Sequence, residues 1–177
     1  MVGAFASLLF AIGAVFSADE SAKETPRQMT VRKMAESLGT ATLKGEYAKV
    51  IDLTWDESVA KMGGREKAIK AAEAGMKKIA ADGWKIKSYK VRSVGEFHKE
   101  GEHSFIVVPT TLEITTPDSR IVSKNFLLGI SKDDGKSWKF VDSAGIQKEE
   151  DRKEILPPLP ESLKLPKREK PEVFKDK

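Results

Sequence analysis

The stretch that most constrains the fold runs from Phe126 to Asp142, Phe-Leu-Leu-Gly-Ile-Ser-Lys-Asp-Asp-Gly-Lys-Ser-Trp-Lys-Phe-Val-Asp. Leu127 to Ser131 is apolar and clearly bounded. Lys132 to Lys136 then supplies Asp133, Asp134 and Gly135, residue types that close a tight turn with side-chain hydrogen bonds and tolerate positive φ. Ser137 to Val141 returns as a second strand, so the pattern predicts a hairpin. An isolated hairpin is marginal in water, so the rest of the chain has to cover it.

The residues upstream supply that cover. Val31, Met34, Leu38 and Ala41 recur at helical spacing from Met29, with Thr30 as the expected N-cap and Gly45 as the stop. Glu46 to Leu53 reads as a short helix with Tyr47, Val50 and Ile51 inward. Asp56 caps a further turn carrying Val59 and Met62, which Gly63-Gly64 breaks. Ile69, Ala72, Met76 and Ile79 form the stripe of a helix from Arg65 to Ala81, closed by Asp82-Gly83.

From Trp84 the period changes to two. Trp84 to Lys87 alternates, while Tyr89 and Val91 fall on the other parity, which predicts a bulge near Ser88. Strands follow at Phe97 to Lys99, Glu102 to Thr115 and Arg120 to Ser131, with Glu100-Gly101 as a two-residue loop. Pro109 cannot donate to a ladder and marks a bulge or edge. Phe105 to Val108 is apolar on both parities, so that strand needs a cover on both faces. Helices first and an antiparallel meander after them predict an α+β fold with the N-terminal helices packed on one face of a curved antiparallel sheet.

The chain has 177 residues, enough for one domain with a core. Met1 to Phe16 carries no charge and is followed by Ser17 and Ala18, the pattern of a secretory signal with a small-residue cleavage site. The expected division is a signal peptide over residues 1–18, a flexible leader over 19–28, the folded domain over 29–145 and a Pro/Lys/Glu-rich tail over 146–177. Export to the periplasm or the exterior follows, with no membrane contact after cleavage. An uncleaved N-terminal anchor is the alternative, and the run is short for one, since a span wants about 20 apolar residues. Within the tail, Lys148 to Ile155 reads as a helical turn, Leu156 to Pro166 as an extended Leu/Pro segment and Arg168 to Lys177 as disordered. The absence of cysteine rules out disulfides and thiolate metal sites. The net charge of +4 is spread over many Lys and Glu with no basic block standing alone, so nucleic acid is not an expected partner.

Gly45-Glu46-Tyr47, the Gly63-Gly64 break, a third helix and the long meander together resemble the cone-shaped α+β roll of the nuclear transport factor and SnoaL-like superfamily. The segments Tyr47 to Gly64, Phe105 to Pro109 and Ile130 to Asp142 are similar to small secreted bacterial proteins of that type. The resemblance covers roughly Met29 to Asp142. It implies a cone pocket and a habit of pairing through the open sheet face. Members range from isomerases, dehydratases and cyclases to non-enzymatic binders, so the fold alone decides little. Ser131-x-Asp133-x-Gly135-x-Ser137-Trp138 also resembles the Asp-box of sialidase propeller blades. One box without repeats points to a structural hairpin, with Asp133 accepting across the turn and Trp138 packed beneath; a glycan contact is the competing reading.

Catalytic candidates are few. With Glu100-Gly101 as the loop, His98 falls opposite His103, within about 5.5 Å across the ladder, where a metal could be shared with Glu96 or Glu102. An exposed pair at a sheet end is the plainer reading. Glu113, between Leu112 and Ile114, is the candidate general base of an enzyme. Tyr47, Trp55, Trp84 and Tyr89 are pocket-sized aromatics that also suit a core. No cofactor is expected. The function that fits is a secreted, non-catalytic module that binds a small apolar ligand or a protein partner through the cone pocket or sheet face. The alternative is a lyase or isomerase using a pocket carboxylate or histidine. Left uncovered, one parity of Phe105 to Val108, with Ile106 and Val108 as its outward residues, would favour a homodimer through the sheet; the Leu/Pro tail is the competing cover.

Overall fold

The computed structural model describes residues 23–167 and 169–175. The expected signal peptide, and 19–22 of the leader, lie outside the described residues. Helix α1 (Pro26–Lys44) begins ahead of the expected Met29. Its N-cap is Thr25, not Thr30. The Thr25 hydroxyl accepts from Gln28 N at 3.2 Å and Gln28 Oε1 accepts from Thr25 N at 3.0 Å, a capping box with Pro26 at the first helical position. Thr30 sits inside the helix and donates to the Pro26 carbonyl at 3.1 Å. Gly45, at φ 70, ends the helix as expected. Helices α2 (Tyr47–Asp52), α3 (Asp56–Lys61) and α4 (Arg65–Ala81) follow, broken at Gly63-Gly64. Only Ala68 of α4 is fully buried; the stripe of Ile69, Ala72, Met76 and Ile79 is half-buried.

The helices pack on a strongly curled antiparallel sheet, a half-barrel. Strands β3 (His103–Thr115) and β4 (Ser119–Ser131) form its long central pair. Two short strands lie end to end along β3, β1 (Lys85–Val91) and β2 (Phe97–Glu100). Two more share the far edge of β4, β5 (Lys139–Asp142) and β6 (Glu172–Lys175). The expected bulge is present, with the register of β1 shifting between Ile86 and Ser88. Pro109 lies mid-strand, where β1 gives way to β2. Its carbonyl accepts from Arg92 N at 2.9 Å. A strand residue points its N and C=O the same way, so the missing N–H falls at the break between the short strands and costs no ladder bond.

The apolar residues divide by parity. Ile106, Val108, Leu127, Trp138 and Phe140 pack with Val31, Ala35 and Leu38 of α1. Phe105, Phe126, Leu128, Ile130 and Val141 face the other way and pack with Trp55, Ile146, Ile155 and Leu163. The both-faces expectation for Phe105 to Val108 therefore holds, but the parities are exchanged: Ile106 and Val108 lie under α1, and Phe105 with Val107 form the outer row. That outer row is covered within the chain by helix α5 (Glu149–Ile155) and by Leu156, Leu159, Leu163 and Leu165 beyond it. The Trp55 indole N–H donates to the Ile155 carbonyl at 2.7 Å and fastens this arm. Residues 172–175, expected to be disordered, form β6 against Ser119–Val122. The Arg120 guanidinium lies 4.3 Å over the Phe174 ring.

Candidate functional site

The hairpin motif is closed by its own side chains. Ser131 Oγ donates to Asp133 Oδ1 at 2.7 Å and accepts from Gly135 N at 2.8 Å. The Asp133 carboxylate also accepts from Ser137 N at 2.9 Å and Ser137 Oγ at 2.6 Å. These bonds hold its pKa well below the usual carboxylate range, the Ser137 hydroxyl contributing most. Asp134 and Gly135 take positive φ, 55 and 84. Trp138 is buried beneath the turn, donates from Nε1 to the Gly135 carbonyl at 3.1 Å and packs on Phe97. Arg27 of α1 stacks over Phe97 at 4.2 Å. The Asp133 carboxylate thus spends its hydrogen-bonding capacity on the turn.

The aromatic candidates do not converge. Tyr47 is half-buried on α2, Trp55 belongs to the outer cluster, and Trp84, 40% exposed, precedes β1. Tyr89 packs against the α1 cluster. Its hydroxyl is buried near Thr110 without a well-formed hydrogen bond, and burial pushes the phenol pKa far upward, with Asp142 adding to the effect. Glu113 is half-buried with Arg120 Nη1 3.9 Å away. The helix-facing side of the sheet around Trp138 and Phe140 is filled with side chains.

The histidine pair also differs from expectation. The β2–β3 loop is Gly101-Glu102, so Glu100 opposes His103 and His98 opposes Phe105. Gly101, at φ 55, takes the first loop position, which a tight hairpin turn requires of glycine. His98 Nδ1 lies 2.9 Å from Ser162 Oγ in the arm, and the His103 ring packs edge-on to Trp55 at 6.0 Å. Among the described residues, no group of three or more His, Cys, Asp or Glu is placed to hold a metal.

A site of different composition lies at the β5 edge. Thr54 before α3, Ser58 and Lys61 on it and Met62 just after it face Val141, Asp142, Ala144 and Gly145, and Asp151 and Ile155 of α5 close the far side. The groove between them holds about 520 Å³, within the range of small-molecule sites. Val141 and Ile155 form an apolar floor, both nearly inaccessible to solvent, and Met62 is 42% exposed at the rim. Ser58 Oγ is shut away from solvent in the wall and has no hydrogen-bond partner. Lys61 Nζ bridges Asp151 Oδ1 at 2.9 Å and Glu154 Oε2 at 2.7 Å, tying α3 to α5. These carboxylates raise the Lys61 pKa, Glu154 more than Asp151, and Lys61 lowers that of Asp151.

No family model, curated protein or solved structure matches this chain. The groove's chemistry therefore has to be read from its own residues. Sequence reasoning missed it because its walls come from three separate segments, 54–62, 141–145 and 151–155, and neither Ser58 nor Ala144-Gly145 carries a pattern. The one available signal was the helical turn at Lys148 to Ile155, whose acidic residues need a basic partner.

Proposed function

We propose that the chain is an exported, non-catalytic binding module, shaped as a roll of the nuclear transport factor and SnoaL-like kind, that takes a small, largely apolar ligand. The observation that carries this reading is the groove between α3 and α5: it has an apolar floor, a few polar groups at its rim, and a volume suited to a small molecule. The helix-facing side of the sheet is packed around Trp138 and Phe140, so the binding surface is at the sheet edge, away from the cone interior. The hairpin carboxylate is committed to its turn and Glu113 stands beside Arg120, an arrangement that favours binding over acid–base chemistry.

The test is a plugged groove. A Cβ added at Gly145 would meet only Val141 Cγ1, at 3.9 Å, so Gly145→Leu fills the site without an initial clash. A neutral environment-sensitive dye such as Nile red should bind the full chain, and Gly145→Leu should abolish that binding. Gly75→Leu, on the open face of α4 where an added Cβ meets nothing within 4 Å, is the control. Undiminished dye binding by Gly145→Leu would refute the assignment.

A further inference from the structure

Helix α4 carries its positive charge on one side. At 3.6 residues per turn, Lys67, Lys70, Lys77 and Lys78 fall opposite the half-buried apolar stripe, with Ala71 and Ala74 between them. All six of these residues are exposed, and none of the four lysines is in an ion pair among the described residues. The helix packs on α2 and α3, and the acids of those two helices are spent elsewhere. Asp52 holds Arg65 at 2.7 Å, Asp56 holds Lys139, and Glu57 holds Lys132 at 3.3 Å. Against the row stand only Glu66 and Glu73, together on one flank, and Asp82 at the C-cap. Lys85, Lys87 and Lys90 of β1, also exposed and in no ion pair, offset these three. From Arg65 to Lys90 eight basic residues face three acidic ones, a net +5 in a chain whose total is +4. In the sequence, alanine and glutamate interleave with the lysines; the helix sorts them.

We propose that this face of α4 is a peripheral docking surface for an anionic lipid bilayer. Lys67 and Lys78 stand 11 residues apart, about 16 Å along the helix, so a plane of headgroups meets all four ammonium groups at once. Ala71 and Ala74 are short enough to let the helix axis approach that plane while the lysine stems reach past them. The contact is electrostatic, with the helix lying on the surface: its apolar stripe is turned toward α2 and α3, and no described helix is long and apolar enough to cross a membrane. The face holds no arginine, asparagine, glutamine or aromatic ring. Those are the side chains that read base edges or stack on bases, so the surface offers charge without the means of nucleic-acid readout.

Co-sedimentation of the full chain compares vesicles of phosphatidylcholine alone with vesicles containing about one third phosphatidylglycerol. Met1 to Phe16 carries no charge, so whatever it adds is common to both and cancels in the ratio. The anionic vesicles should bind about 10-fold tighter at low salt, and the preference should fade as salt is raised. Lys67→Gln/Lys70→Gln/Lys77→Gln/Lys78→Gln should lose most of that preference. Lys33→Gln/Lys136→Gln/Lys164→Gln/Lys170→Gln removes the same charge from exposed positions off this face and should keep it. Duplex DNA added at equal phosphate concentration should leave the chain on the anionic vesicles. Equal binding to both vesicles, or a preference that survives the α4 substitutions, would overturn the proposal. An equal loss in the two variants would reduce it to attraction by net charge, and release by the duplex would reassign the face to nucleic acid; either result overturns it.

Discussion

Gly39 of α1 lies so close to the Tyr89 ring of β1 that a Cβ at that position would stand 2.3 Å from Tyr89 Cδ1. The glycine is what lets α1 settle onto the sheet. Gly39→Ala is therefore an overpacking change. It should cost about 1–3 kcal/mol of stability, read as a lowered urea midpoint with an unchanged slope. Trimming the ring in Gly39→Ala/Tyr89→Leu should return part of that loss. A wild-type midpoint for Gly39→Ala would mean that α1 can slide without penalty.

Trp138 is 1% exposed beneath the hairpin. Trp138→Ala should cost about 3–5 kcal/mol, the range for removing a buried large aromatic. Denaturant titration followed by far-UV dichroism checks it. A small change would make the hairpin peripheral to the fold.

Asp133 gives a pH signature. Its folded pKa is depressed below the ordinary value of 3.8. A group depressed by folding adds stability that is fully present above its unfolded pKa and fades as pH falls through the folded one. The wild type should exceed Asp133→Asn in stability by a constant margin at neutral pH, and the margin should shrink steadily below about pH 4. Parallel pH profiles for the two proteins would show that the hydrogen bonds to Ser137 do not depend on the charge.

The buried, unpartnered hydroxyl of Ser58 costs the folded state something. Ser58→Ala should stabilise the unliganded protein by about 1 kcal/mol, since an unpaired buried hydroxyl carries a desolvation penalty and alanine is the better helix former. Thermal melts at fixed pH measure this. A loss of stability would mean that Ser58 has a hydrogen-bond partner in solution, most simply a water.

The C-terminal arm is tested at its fastening point. Trp55→Phe keeps an aromatic ring but loses part of the indole's volume and the 2.7 Å bond to the Ile155 carbonyl, which together should cost about 1–3 kcal/mol. A chain ending at Lys148 should expose Phe105, Phe126 and Leu128, bind a hydrophobic dye and self-associate in light scattering. A soluble monomer lacking the arm would show that this face needs no cover.

Much of this was legible in the sequence. Residues that announce their conformation were read correctly, as with Gly45, Gly63-Gly64 and the bulge before Ser88. The doubly apolar Phe105 to Val108 correctly demanded two covers, because a strand places alternate residues on opposite faces. Which parity lies under α1 was not legible, since both rows are equally apolar and the choice is made by packing elsewhere. The start of α1 was within reach: Thr25-Pro26-Arg27-Gln28 is a capping box written out, and weight on the apolar stripe obscured it. The β2–β3 loop slipped by one because Glu100-Gly101 and Gly101-Glu102 differ only in which loop position the glycine takes, and that one step separated the histidines. The groove was illegible for a different reason, since its walls meet only after the arm has docked.

That docking has a consequence for how the molecule is made. Trp55 and its partner Ile155 stand 100 residues apart in the chain. Synthesis runs from the N-terminus, so α1 to α4 and β1 to β5 are available to fold before the arm exists. During that interval the row of Phe105, Phe126 and Leu128 is complete but wet. A ribosome stalled there, or a protease that clips the arm later, yields an adhesive half-finished surface in place of a slightly shorter protein. The arm acts as the molecule's own chaperone, and it arrives after everything it protects.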